Sequence, residues 1–281
     1  MAVSAGEHAP AAEFGIAPPD DFHYASLYLA PAARGAARVL EAARRAIVEI
    51  PPGCSDRGVA HLKLAWWEQE LARLAAGEPR HPLTQAMAPL LRRWPDLPRI
   101  YARLVANVVT SLSEPRYADD AALHGALRAR QDELATLLIG LGAPVDTATR
   151  DGLLELAVQL ELARALRGLR QHRRGGAPLI AGDALARAGL TLEQVREARL
   201  SVTLRDWLAP EMTRVQARLR TQRDALPRAT RRGQALFVTL AECALEALAL
   251  TLADDCRVLE QRVEVLPVRK LWLAWRVRHI G

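Results

Sequence analysis

The sequence predicts an all-α protein, on three observations. Ala and Leu dominate while aromatics make up only 5% of the 281 residues, a mixture that suits helices rather than pleated sheets, which favour β-branched and aromatic side chains. Apolar residues recur at three- and four-residue spacing between cap and stop signals. Strand-like alternation over a useful length is not seen, and no internal repeat emerges. With 50% hydrophobic residues the chain has ample material for one core, so the expected architecture is a single bundle of about ten helices.

Residues 1–20 are rich in Ala, Pro and Gly without periodicity and read as a mobile arm, leaving 21–281 as the helical domain. Helix formation starts near Asp21 to His23. Pro31 then occupies the first turn of a longer helix running to Ile50, where its missing N–H costs nothing, and Pro51-Pro52-Gly53 stops it. Ser55 offers an N-cap for a helix through Ala76, Gly77 supplies the left-handed position after it, and Leu64, Trp67, Leu71 and Leu74 form its apolar face. Helices are expected over Leu83–Arg93, over Pro98–Leu112, and from Asp119 or Asp120 to Leu141, closed by Gly142. A long, largely buried helix runs from Thr149 to about Arg170 after a cap at Asp146 or Thr147, and ends in the basic loop His172-Arg173-Arg174-Gly175-Gly176. A short helix begins at Asp183, Thr191 and Gln194 read as a capping box, and long helices fit 201–225, with a kink allowed at Pro210, and 228–260.

Charge and cysteine usage exclude several classes. The net charge is +6, yet 32 acids are interspersed with 38 bases, and every base except Lys63 and Lys270 is Arg. No aromatic-interleaved basic motif accompanies them, so specific nucleic-acid binding is not expected. Cys54, Cys243 and Cys256 form no CxxC pair and the His residues show no HxxxH spacing, which supports neither a disulfide framework nor a zinc site. The N-terminus lacks signal-peptide features, and no apolar run approaches the ~20 residues that span a bilayer. A cytoplasmic location is expected; residues 266–280, where Trp272 and Trp275 lie among Arg269, Lys270, Arg276 and Arg278, read first as a closing helix half packed on the bundle, with peripheral contact at the inner membrane face as the alternative. At 100° per residue the apolar side chains of that segment fall into two arcs with cations between them.

Three stretches together resemble the squalene/phytoene synthase family, the head-to-head prenyltransferases. Leu64-Ala65-Trp66-Trp67-Glu68-Gln69-Glu70-Leu71, followed by Gly77-Glu78-Pro79-Arg80-His81-Pro82, is similar to that family's W-x-x-E-L … G-x-x-x-H-P segment. Phe22 to Arg34 resembles the segment before its first aspartate motif, and Gln159 to Thr191 the segment holding the second; Pro267 to Leu271 reads like its ending. The resemblance covers about residues 22–281 and implies an isoprenoid synthase-like bundle in which two DxxxD-type motifs on facing helices hold Mg²⁺ against a prenyl diphosphate. Carboxylates at i and i+4 share one helix face, and Mg²⁺ demands hard oxygen ligands.

This chain departs from the family's pattern at both motifs. The first reads Arg45-Ala46-Ile47-Val48-Glu49, where only Glu49 keeps a carboxylate; in the second, Arg164 stands near the family's Asn, Gly168 near its first Asp and His172 near its last. Other i, i+4 carboxylate pairs, Asp151/Glu155, Glu193/Glu197 and Glu242/Glu246, lie off the family positions. The expectation is a non-catalytic relative, similar in its missing aspartates to the complex I assembly factor branch, that binds a protein partner or an isoprenoid or other anionic lipid. Arg45, Glu49, Arg164, Arg167 and His172 are the candidate anion and ligand pocket, with no cofactor; alongside Arg170, these guanidiniums read either as ordinary rim cations or as counter-charges in place of metal. The alternative is an active Mg²⁺-dependent prenyltransferase condensing two prenyl diphosphates, with Glu49 among its ligands. A third reading is a basic lipid-surface protein without a ligand pocket.

Overall fold

The computed structural model describes residues 15–113, 117–170, 179–197, 201–258, 260–261 and 263–280. Fourteen α-helices account for most of these residues, and an isolated bridge between Tyr117 and Ala181 is the nearest thing to a strand among them. In chain order they are α1 (Asp21–Ala25), α2 (Pro31–Val48), α3 (Ile50–Gly53), α4 (Arg57–Ala75), α5 (Pro82–Met87, continued by a 3-10 turn, Ala88–Arg92), α6 (Leu97–Ser113), α7 (Asp120–Ile139), α8 (Thr147–Arg167), α9 (Gly182–Arg187), α10 (Leu192–Glu197), α11 (Val202–Ala225), α12 (Arg228–Gly233), α13 (Ala235–Ala253) and α14 (Pro267–His279). The excess over ten comes from short helices and from one break.

That break falls at Gln234, inside the helix expected over 228–260. The Gln234 amide donates to the carbonyls of Ile139 (3.1 Å) and Ala143 (2.6 Å), pinning α13 to the end of α7. A Cβ on Gly233 would lie 2.7 Å from Ala143 Cβ, so glycine is required where the chain turns past it. Other signals read well or shifted by a residue or two. Gly77 adopts φ +81° after α4, and Thr191 and Gln194 cap each other reciprocally at 2.8 and 3.2 Å. Asp56 rather than Ser55 caps α4, accepting from Val59 N at 2.9 Å, and α7 closes at Gly140 rather than Gly142.

Two apolar clusters form the interior. One joins α2, α4, α5 and α6, with Leu64, Leu71 and Leu74 at most 1% exposed; the other joins α7, α8, α11 and α13. Each fully buried Leu contributes roughly 1.5–3 kcal/mol of transfer free energy, and α7 and α13 give residues to both clusters, tying the halves together. By length and composition α13 could cross a membrane, which the sequence reading missed, but most of it is buried in the bundle. Residues 15–20, assigned from the sequence to the arm, belong with the bundle. Residues 1–14 lie outside the described residues, whereas Ile16 is 1% exposed and Asp20 caps α1 through Phe22 N at 2.8 Å, so residues 15–20 pack as part of the bundle.

Candidate functional site

A cavity of about 530 Å³ opens where α2 faces α8, with further walls from residues 15–22, α6, α13 and the start of α14. Its chemistry follows from helical spacing. Glu41, Arg44, Arg45 and Val48 occupy one face of α2 at i, i+3, i+4 and i+7, and Glu161, Arg164 and Gly168 occupy one face of α8.

These side chains neutralise one another. Arg44 donates from Nε and Nη2 to the two oxygens of Glu41, at 2.8 and 3.0 Å, a fork-on-fork pair, and its Nη1 lies 3.7 Å from Glu161 across the gap. Arg45 donates to Glu41 at 2.7 Å and, through both terminal nitrogens, to Asp20 at 2.5 and 3.1 Å. Arg164 pairs with Glu161, and Arg130 of α7 approaches the same carboxylate at 3.8 Å. Lys270, 4% exposed, reaches from α14 to Asp21 and to the Pro19 carbonyl, both at 2.6 Å.

Burial alone would push the Glu41 carboxyl up, but the Arg44 and Arg45 guanidiniums hold it well below the usual carboxylate range. Glu161 is likewise raised by burial and lowered, on balance, by Arg164, Arg44 and Arg130. Arg44 answers in kind: desolvation lowers its pKa, and Glu41 and Glu161 more than restore it. Glu41, Glu161 and Arg44 are therefore charged at neutral pH.

Arg45, Glu49, Arg164 and Arg167 all line the cavity. Arg45 is committed to Asp20 and Glu41, Arg164 to Glu161, and Arg167 donates to the Val263 carbonyl at 2.9 Å. Arg170 points elsewhere, to the Glu260 carbonyl at 3.0 Å, and His172 lies outside the described residues. The candidate pocket read from the sequence named few of the charges found here. Among the described residues its lining carries Asp20, Asp21, Glu49, Glu161 and Glu264 against Arg44, Arg45, Arg130, Arg164, Arg167 and Lys270, and Glu41 behind them brings the described acids level with the described bases. Glu41 and Glu161 were legible as i, i+3 or i+4 partners of the arginines. Asp20 was hidden by its assignment to the arm.

Among the described residues the donor set does not fit Mg²⁺. The carboxylates on the two facing helices that point together, Glu41 and Glu161, are held by guanidiniums, and Glu49 is an exposed single carboxylate at the C-cap of α2. Among the described residues no group of three or more His, Cys, Asp or Glu is placed to hold a metal. The off-motif pairs are used otherwise. Glu155 binds His124 and Arg128, and Asp151 binds Arg128; Glu242 and Glu246 bind Arg223, Arg276 and Arg269. The side chain of Glu197 is outside the described residues.

A second buried carboxylate lies on α4, away from the cavity. Glu70 accepts from Arg80 N (2.7 Å), His81 N (2.8 Å) and the Thr84 hydroxyl (2.6 Å) on one oxygen, and from Arg73 at 2.8 Å on the other. Burial works against its charge, but these donors outweigh it and hold its pKa at about 2.

Bundle and cavity together define an all-α protein with a charged cavity between two facing helices. The squalene/phytoene synthase family profile matches residues 19–269, and the chain belongs to that family. Its fold is similar to that of squalene synthase HpnC from Alicyclobacillus acidocaldarius, at a TM-score of 0.66 and 19% identity over 88% of this chain and 93% of that one. It is also similar to a dehydrosqualene synthase solved in complex with ligand, at 0.74 and 13% identity over 94% and 92%. No curated protein matches the chain.

Proposed function

We propose that this chain is a non-catalytic member of its family, a pseudoenzyme that uses the cavity between α2 and α8 to hold an isoprenoid or other amphiphile with an anionic head group. The observation that carries this reading is the Glu41–Arg44–Glu161 bridge, which spans the gap between the two helices. A prenyl diphosphate ionises only when the charge developing on its leaving group is compensated, and electrostatic compensation of this kind is usually the largest catalytic contribution. Here the carboxylates that metal would need are already neutralised by arginine. The cavity keeps apolar wall at Phe22, Val108, Leu160, Leu240 and Ala244 beside its charged wall, a division that suits a chain with a head group. An anion arriving among salt-bridged guanidiniums displaces a carboxylate from one of them, so modest affinity is expected.

The reading as an active prenyltransferase is favoured by one feature, the exposed Glu49 carboxylate on the cavity lining. Incubating the full chain with farnesyl or geranylgeranyl diphosphate and Mg²⁺ separates the two. Calorimetric binding of the diphosphate without its release is the expected result. Mg²⁺-dependent release overturns the non-catalytic reading, and absence of both binding and release leaves a protein partner as the occupant.

A further inference from the structure

Helix α14 has two apolar faces and the bundle uses only one. Leu273, Ala274 and Val277 pack inward beside Lys270, each at most 4% exposed. Projected at about 100° per residue, Val268, Leu271, Trp272 and Trp275 form the other face, a single outward stripe. They are 70%, 46%, 41% and 44% exposed, and the cap residues Leu266 and Ile280 just beyond the two ends of the helix are 68% and 59% exposed. The two apolar arcs of the sequence are thus an inner and an outer face of one helix.

Cations border the outer stripe on both sides. Arg269 and Arg276 lie along one edge, their guanidinium carbons 4.5 and 4.7 Å from the centre of the Trp272 ring, where stacking and ion pairs to Glu246 and Glu242 hold them in place. Arg278 lies along the other edge and donates to the Arg232 carbonyl at 3.4 Å. Arg232 of α12 lies at the same end of the stripe, donating in turn to the Ile280 carbonyl at 3.5 Å. Among the described residues, Arg232, Arg269, Arg276 and Arg278 border this surface with Glu242 and Glu246.

We propose that this face docks flat on an anionic bilayer, with Trp272 and Trp275 at head-group level and the flanking arginines against lipid phosphates. Three considerations select a bilayer over a protein. Indole rings between arginines match the amphipathic belt at a membrane–water interface. The charge balance complements anionic lipid, each cation near such a surface contributing about 1 kcal/mol. The stripe is one 13-residue helix, about 20 Å long and on the order of 200 Å² in area, well short of the roughly 800 Å² per partner of a specific protein interface. The inner face of the same helix carries Lys270 into the cavity wall, so docking would bring the cavity close to the lipid. The proposal stands whether or not the cavity catalyses.

Flotation of the full chain with vesicles tests it. Recovery with vesicles containing about 30% phosphatidylglycerol is expected to exceed recovery with pure phosphatidylcholine by about tenfold or more, and to fall in about 0.5 M salt as screening shortens. Trp275→Ala and Arg278→Glu change exposed side chains only; each is expected to lower recovery severalfold, with helical circular dichroism and Tm unchanged. Equal recovery with both vesicle types, or variants that float like wild type, overturns the proposal. So does a concentration-dependent dimer in sedimentation velocity that Trp275→Ala abolishes, which would assign the stripe to a second copy of the chain.

Discussion

Glu41 and Glu70 are both buried carboxylates, 4% and 0% exposed, and they are satisfied in opposite ways. Glu70 takes most of its hydrogen bonds from backbone N–H groups and a hydroxyl of the α4–α5 connection. Glu41 takes its hydrogen bonds from two guanidiniums on its own helix. A carboxylate that satisfies backbone donors has no apolar substitute, because those donors remain when it is removed. One that satisfies side chains can be replaced together with them. In this chain the W-x-x-E-L … H-P segment is therefore a clasp closed on backbone donors, while the cavity wall around Glu41 is closed on side chains that can be replaced together.

The largest expected effect tests the Glu41 side of this contrast. Glu41→Ala leaves Arg44 and Arg45 with a buried excess charge and should cost about 3–5 kcal/mol in urea unfolding. The double variant Glu41→Met, Arg44→Met removes both partners while Glu161 keeps Arg164 and Asp20 keeps Arg45. It should recover most of that loss. A double variant as unstable as the single one would break the comparison, since Glu41 would then be as irreplaceable as Glu70.

Glu70→Ala comes next, at roughly 3 kcal/mol, because the N–H groups of Arg80 and His81 lose their acceptor. No apolar replacement of Thr84 or Arg73 should rescue it. The acid limb of stability offers a gentler probe. The folded pKa of Glu70 is depressed from an ordinary value near 4.5 to about 2, and that of Glu41 is depressed as well. A depressed carboxylate contributes stability that is present above the unfolded pKa and lost as pH falls through the folded one. Unfolding free energy should therefore be flat near neutral pH and decline between about pH 4.5 and 2, and Glu70→Gln should flatten that slope. An unchanged slope would mean that Glu70 is not the group taking up the proton.

The same contrast explains what the sequence disclosed. The all-α class, the cap at Gly77 and the capping box at Thr191 are local signals, each fixed by a few neighbouring residues. The facing of α2 and α8 came from the resemblance, and Arg45, Glu49, Arg164 and Arg167 do meet at one cavity. What stayed hidden was long-range. Asp20 reaches Arg45 across 25 residues, and Lys270 reaches Asp21 from the far end of the chain; no spacing rule links such pairs. The two arcs of α14 were visible, but only the bundle shows which one it buries.

The smallest effect isolates a single donor. Thr84→Val removes one hydroxyl from Glu70 Oε1 and leaves the two N–H groups in place, so it should cost about 1 kcal/mol at neutral pH. A donor to the charged form depresses a pKa, and its loss raises it. Carbon-detected NMR titration should then find the Glu70 carboxyl above its wild-type value of about 2, with the decline in stability beginning at correspondingly higher pH. An unshifted titration would leave the backbone N–H groups and Arg73 as the whole cause of the depression, which would make the clasp even less dependent on side chains than the cavity wall.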